Sequence, residues 1–207
     1  MARTAEDRKR QLVAEFRRAE ILTAATRVFG AKGFDGTRVD DIAAEAGLAK
    51  ATVYAYFNSK DEIYEAAVEQ ALAEIRVLTE EQVAKAPDFP GRLRAFIAVR
   101  LSYWHEKQPL YRVISSVNHE MKNRRRRLKW QRVAVDYLLQ MFTEAAVRGE
   151  IPQQDFEAAA WALMDMIRGI HERRILQQEH SPEEEIRRLT GFTLRALGSK
   201  RAPSPQA

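Results

Sequence analysis

The chain has 207 residues, 45% hydrophobic and 30% charged, with a formal net charge of +5 and a pI near 9.5. That is enough apolar residue for one or two packed domains, and no run approaches the ~18 apolar residues of a membrane-spanning helix. With no cysteine, disulfides, thiolate chemistry and Cys-ligated zinc are excluded, and a cytoplasmic location fits. The positive surplus suits a polyanion, but bulk charge alone supports only non-specific attraction.

Residues 1–17 are polar and charged and are predicted to form a mobile basic arm, with no apolar stretch behind it to make a secretory signal. Ile21, Ala25, Val28 and Phe29 then set the inner face of a first helix that Gly33 closes. Val39, Ile42, Ala43 and Ala46 give the next helix one apolar stripe, with its cap predicted at Thr37 and Asp40 three residues on. Gly47 accepts the left-handed backbone of a sharp corner, and Leu48 can tuck under it. In the following helix, predicted over residues 48–57, Val53 and Phe57 face inward. Lys50, Ala51, Thr52, Tyr54 and Tyr56 face outward, as a cation, a methyl, hydroxyls and aromatic bodies that DNA contacts use. Arg38, near the start of the preceding helix, and Lys60 join them. Ser59 and Glu62 form a capping box for a long helix from about residue 60.

Two short helices crossing at a glycine make a DNA-reading helix-turn-helix. The first third of the chain resembles the TetR family of bacterial one-component transcription regulators. The matching residues are Ile21 to Phe29, Gly33 and Phe34, Gly36 and Thr37, Asp41 to Ala43, Ala46 and Gly47, Lys50 to Tyr54, Tyr56 and Phe57, and Ser59 and Lys60. Arg38 stands where relatives often carry Ser or Thr, which moves the predicted cap to Thr37. The resemblance implies an all-α, nine-helix, two-domain architecture. A basic arm (1–17) and a DNA-binding domain (18–60) would precede a ligand-binding and dimerisation domain (61–198) and a disordered tail (199–207). It also implies a homodimer on a palindromic operator, an effector cavity, and a dimer interface made by the last two helices.

The rest of the chain also reads as helix. The long fourth helix carries Ile63, Ala67, Ala71, Ile75 and Leu78, and the stretch from Ala86 to Gly91, with two prolines, is read as a loop. Leu93, Phe96, Ile97, Leu101 and Trp104 mark a fifth helix, and Leu110, Val113, Ile114 and Val117 a short sixth. Val133, Tyr137, Leu138, Met141, Phe142 and Ala145 mark a seventh ending at Gly149. Phe156, Ala160, Leu163, Ile167, Ile170 and Arg174 line an eighth. Ser181 and Pro182 start a ninth, along which Ile186, Leu189, Thr193 and Leu197 face inward. Ala158, Ala159, Ala160, Ala162 and Gly169, with Phe192, Leu194 and Leu197, are the candidate dimer surface.

Tyr103, Trp104, Tyr137, Met141, Phe142, Trp161, Met164 and His171 form an aromatic and methionine set. It is either core or the lining of an apolar effector pocket, with Asp165, Arg168 and His171 as polar groups to orient a ligand. The run Arg124 to Arg127 spans about 300° of a helix at ~100° per residue, so it cannot line one groove. It reads as a solvated helix end, with a phosphate-bearing effector such as an acyl-CoA, or salt bridges to the DNA-binding unit, as alternatives. His105, His119 and His171 each precede a glutamate, but Pro109, Asn123 and Ile175 stand where a zinc-binding helix needs its second histidine. No catalytic constellation, metal site or cofactor motif is present, and the chain reads as a regulator rather than an enzyme. The function expected is a ligand-responsive, dimeric repressor released by a small, largely apolar effector. A ligand-independent DNA-organising protein of the same fold is the alternative.

Overall fold

A computed structural model describes residues 5–116, 121–176 and 181–199. Among these residues there are nine α-helices and no strand: α1 (Ala5–Gly36), α2 (Val39–Glu45), α3 (Lys50–Tyr54), α4 (Lys60–Ala84), α5 (Phe89–Glu106), α6 (Gln108–Ser116), α7 (Met121–Val147), α8 (Phe156–Leu176) and α9 (Pro182–Ala196). They form two compact units, one of Met1–Leu72 with Gln108–Asn118 and the other of Ala73–Lys107 with His119–Ala207. No described helix is long and apolar enough to cross a membrane.

In the first unit the predicted basic arm is corrected. From Ala5 onward it is helix, continuous with α1. A highly charged segment need not be disordered, and here the charges sit at helical spacing. Arg10 bonds Glu6 (2.9 Å), Gln11 bonds Glu15 (2.7 Å) and Arg17 bonds Glu20 (2.7 Å), and neither Gly nor Pro interrupts the segment. The helix kinks at Gly33 (φ 72°), which turns Phe34 back onto Phe29 (5.7 Å between ring centres) and edge-on to Tyr64 (5.2 Å). Ile21, Ala25, Phe29, Ile42, Val53, Phe57 and Ile63 are buried, as their spacing predicted. α6 packs on α1 through Gly30. A Cβ there would lie 2.1 Å from Cβ of Pro109, so the close approach requires glycine.

The second unit packs α5, α7, α8 and α9 around Phe89, Leu93, Phe96, Leu138, Phe142, Leu163 and Leu194. α5 begins inside the predicted loop. Asp88 caps it by accepting from the Gly91 amide (2.9 Å), and Pro90 sits in a first turn whose amides have no helical partner to lose. On α7, Val133 is 60% exposed and Val135 takes the core position in its place, while Leu138, Met141, Phe142 and Ala145 are buried as predicted. Ser181 caps α9 as predicted, accepting from the Glu184 amide (3.2 Å). Ser199, placed in the tail by the sequence reading, is buried behind the left-handed Gly198, its amide bonded to the Leu194 carbonyl (2.9 Å). Val117, the His119 and Glu120 pair, and the tail from Lys200 lie outside the described residues.

Gly30→Ala separates two opposing effects. Helix propensity favours alanine by about 1 kcal/mol, whereas the clash with Pro109 costs about 1–3 kcal/mol. A net loss is expected, read as a lower midpoint of urea unfolding; an unchanged or higher midpoint would show that α6 yields freely.

Candidate functional site

α2 and α3 meet at Gly47 (φ 65°). The Gly47 amide bonds the Ala44 carbonyl (3.1 Å) and the Leu48 amide bonds the Ala43 carbonyl (2.9 Å), the paired closure of a left-handed helix end. α3 is short, from Lys50 to Tyr54, and is held by Val53 and Phe57, which are fully buried. Its other side looks outward. Tyr54 is 46% exposed, Lys50, Ala51 and Ala55 are exposed, and Thr52 and Tyr56 are half-buried.

The charges around this face are partly committed. The Lys50 ammonium lies 2.9 Å from the Asp40 carboxylate, which holds its pKa above the ordinary lysine value. A pair this exposed is weak and can be exchanged for a phosphate. Arg38 is exposed and is itself the N-cap residue of α2. Its amide donates to the Asp41 carboxylate (2.9 Å), and Asp41 also takes the Lys32 ammonium (2.7 Å), so its pKa is lowered.

Two predicted contact residues face inward. Thr37 does not cap α2; it is 2% exposed, and its hydroxyl donates to the Gly33 carbonyl (2.6 Å), completing the kinked end of α1. Lys60 is half-buried, donating to the carbonyls of Phe34 (2.7 Å) and Thr37 (3.1 Å) and lying 4.4 Å from the centre of the Phe34 ring. It closes the corner after α1 by covering carbonyls that the kink leaves open. The α4 cap is also modified. Glu62 donates its amide to Ser59 (3.1 Å), but its carboxylate accepts from Asn58, both from the amide N–H (2.8 Å) and from the side chain (2.9 Å). Arg18, which carried no signal in the sequence, lies 4.2 Å from the centre of the Phe57 ring and donates to the Tyr56 carbonyl (3.3 Å), bracing the end of the reading segment.

In the second unit the candidate pocket residues take different roles. Met141 is core, and Tyr137, Trp161 and Met164 pack against the core. Tyr137 stacks on Phe96 (5.9 Å) and Trp104 meets Tyr103 edge-on (5.3 Å). The Tyr103 hydroxyl donates to Glu74 (2.8 Å); burial and this acceptor raise its pKa. Arg168 is tied on its own helix to Asp165 (3.1 Å) and Glu172 (3.0 Å). His171 is buried against the backbone of Arg100, and burial with the nearby Arg174 charge lowers its pKa to about 4. It is therefore a neutral histidine at ordinary pH. Of the arginine run, Arg125 is exposed. Arg132, next along α7, bridges to Asp136 (2.7 Å) and Glu157 (2.6 Å).

An open groove of about 570 Å³ lies between α8 and α9, lined among others by Met166, Gly169, Ile170, Leu189 and Phe192. Of the residues predicted for the pocket, its lining includes Asp165, one of the three polar candidates, and none of the aromatic and methionine set. Along α8, Ala158, Ala162, Asp165 and Gly169 form a small, outward stripe beside it, and Phe192 of α9 is 52% exposed. Ala160, Leu194 and Leu197, named as dimer-surface candidates, are instead buried in the chain's own core.

Residues 21–67 match the family model described as bacterial regulatory proteins of the tetR family. The transcriptional activator FasR of Mycolicibacterium smegmatis is 29% identical over 107 residues, covering 52% of this chain and 49% of that protein. The biofilm operon negative regulator IcaR of Staphylococcus aureus is 45% identical over 49 residues, covering 24% and 26%. The matched segments thus span half or less of these relatives. A TetR-family regulator structure from Rhodococcus sp. superposes with a TM-score of 0.76 at 22% identity, covering 88% of this chain and 98% of the other, so the nine-helix fold is shared along nearly the whole length.

Tyr54→Ala is expected to leave the unfolding midpoint unchanged and to weaken duplex binding, while Arg38→Ala lowers the slope of log affinity against log salt by ~1. Lys60→Ala behaves differently: with two carbonyls uncovered, stability falls by about 1–3 kcal/mol, and the salt slope stays the same. A loss of slope in Lys60→Ala without loss of stability would return Lys60 to the DNA face.

Proposed function

Because the chain belongs to the TetR family of bacterial regulatory proteins, we propose that it is a ligand-responsive transcriptional repressor. It binds a palindromic operator as a homodimer and is released by a small, largely apolar effector. The observation that carries this reading is the outward face of α3. Lys50, Ala51, Thr52 and Tyr54 stand at a tightly closed corner, next to the exposed Arg38, with Val53 and Phe57 fixing which way they point. In a recognition helix the first turn meets base edges, so Lys50, Ala51 and Thr52 read the major groove, and Tyr54, Tyr56 and Arg38 hold phosphate and sugar.

The second copy docks at the α8 and α9 groove. Small residues along α8 let helices approach, and Phe192 with Met166 supplies apolar area that is otherwise open to water. Two reading helices then occupy successive major grooves whose centres are ~34–36 Å apart. α4 begins at Lys60, three residues after Phe57, and continues as one helix to Ala84. An effector that binds better to one setting of α4 shifts the dimer away from the groove repeat and lowers DNA affinity by its differential affinity for the two settings.

The test is selection of bound duplexes from a random pool by the purified protein at physiological salt. An enriched inverted repeat is the expected result. Retention that is salt-sensitive but shows no shared sequence would favour a DNA-organising protein of the same fold and contradict operator reading.

A further inference from the structure

Arg100 occupies a core position. It follows Leu93, Phe96 and Ile97 along the inward stripe of α5 and is 7% exposed, yet its contacts among the described residues are neutral. Nη1 donates to the Thr79 hydroxyl (3.1 Å) and at longer range to the Phe96 carbonyl (3.4 Å), and the guanidinium carbon lies 3.4 Å from the centre of the Phe96 ring. A hydroxyl, a carbonyl and a ring face each soften a buried cation, but none neutralises it. Another deep arginine of this unit differs on this point. Arg174 is paired with Glu185 across α8 and α9. Burial pushes the Arg100 pKa down to about 9, the direction expected of a charge with no counter-ion among the described residues. An apolar residue would fill this position of the stripe without that penalty.

Its neighbours suit a carboxylate. The guanidinium presents a planar fork of donors that matches two carboxylate oxygens. Tyr137, stacked on Phe96, feels the charge of Arg100, and burial keeps its hydroxyl protonated and therefore a neutral donor. Phe96, on whose ring the guanidinium lies, and Tyr137, stacked on Phe96, offer aromatic faces to a hydrocarbon body.

We propose that Arg100 is the anchor for the carboxylate of the effector, which makes the effector an apolar acid whose hydrocarbon part lies among the side chains of the bundle. This rests on the ligand-responsive reading given above. It also supplies a route to α4. Thr79 belongs to α4, and its hydroxyl accepts from Arg100 while donating to the Ile75 carbonyl (2.6 Å). A carboxylate that draws the guanidinium to itself releases Thr79 and leaves the bond from Tyr103 to Glu74 still joining α5 to α4.

The test uses the full chain and matched probes: hexanoate, decanoate and 4-phenylbutyrate, each beside its primary amide, followed by thermal shift, titration calorimetry and release from the selected duplex. At least one acid is expected to bind roughly tenfold or more tightly than its amide, the scale of a hydrogen bond to a charged group. Arg100→Gln is expected to erase that preference. Acid and amide binding equally to the wild-type chain would overturn the proposal, and this comparison needs no variant to fold. Amides that bind and release DNA would leave the ligand-responsive reading standing and remove Arg100 from it. If no acid or amide binds and none releases DNA, the proposal fails, and a wider effector screen that also fails would take the ligand-responsive reading with it.

Discussion

At Gly47 the backbone turns left-handed between α2 and α3, and the direction of the outward face of α3 depends on that turn. A helix as short as α3 has too few internal hydrogen bonds to persist alone, so its orientation is imposed from outside. The corner supplies part of the constraint through the two amide bonds to Ala43 and Ala44, and Val53 and Phe57 supply the rest by burial. A residue with a Cβ would oppose the positive φ by about 1–2 kcal/mol. That is small beside the stability of a domain, but it is concentrated at the point that aims Lys50, Thr52 and Tyr54.

Polar groups in the two units are used in different ways. Around the reading segment, Thr37, Lys60, Arg18 and Glu62 satisfy backbone groups at helix ends, which leaves the outward side chains of α3 little structural work. On the proposed reading, those outward residues could change with the operator without disturbing the corner. In the second unit, buried charge divides between a closed pair, Arg174 with Glu185, and a cation with neutral contacts, Arg100. The first locks α8 to α9; the second ties α5 to α4, the helix that also leads away from the reading segment.

Much of this was legible in the sequence wherever one residue type has one physical use. Gly47, the stripe of Val39, Ile42 and Ala43, the Ser181 cap and the inward set on α8 all stand as their chemistry predicts. The misreadings have a common cause, which is that polar residues have several uses. Thr37 and Lys60 are of types that contact DNA, yet backbone carbonyls reach them first. The helix from Ala5 was hidden by its own charges, because a charged segment and a charged helix have the same composition and differ only in spacing. The groove between α8 and α9 and the close approach of Gly30 to Pro109 depend on which helices meet, and periodicity within one helix cannot report that. Arg100 did leave a trace, a cation at an apolar position of the α5 stripe, and its meaning appears only once its neighbours are seen to be neutral.

Hydroxyl-radical footprinting of the protein on a selected duplex tests operator reading by a homodimer most directly. Two protected patches on one face of the DNA, about one helical turn apart, are the result expected of two copies reading successive major grooves. A single patch, or protection that runs unbroken along the duplex, would contradict it.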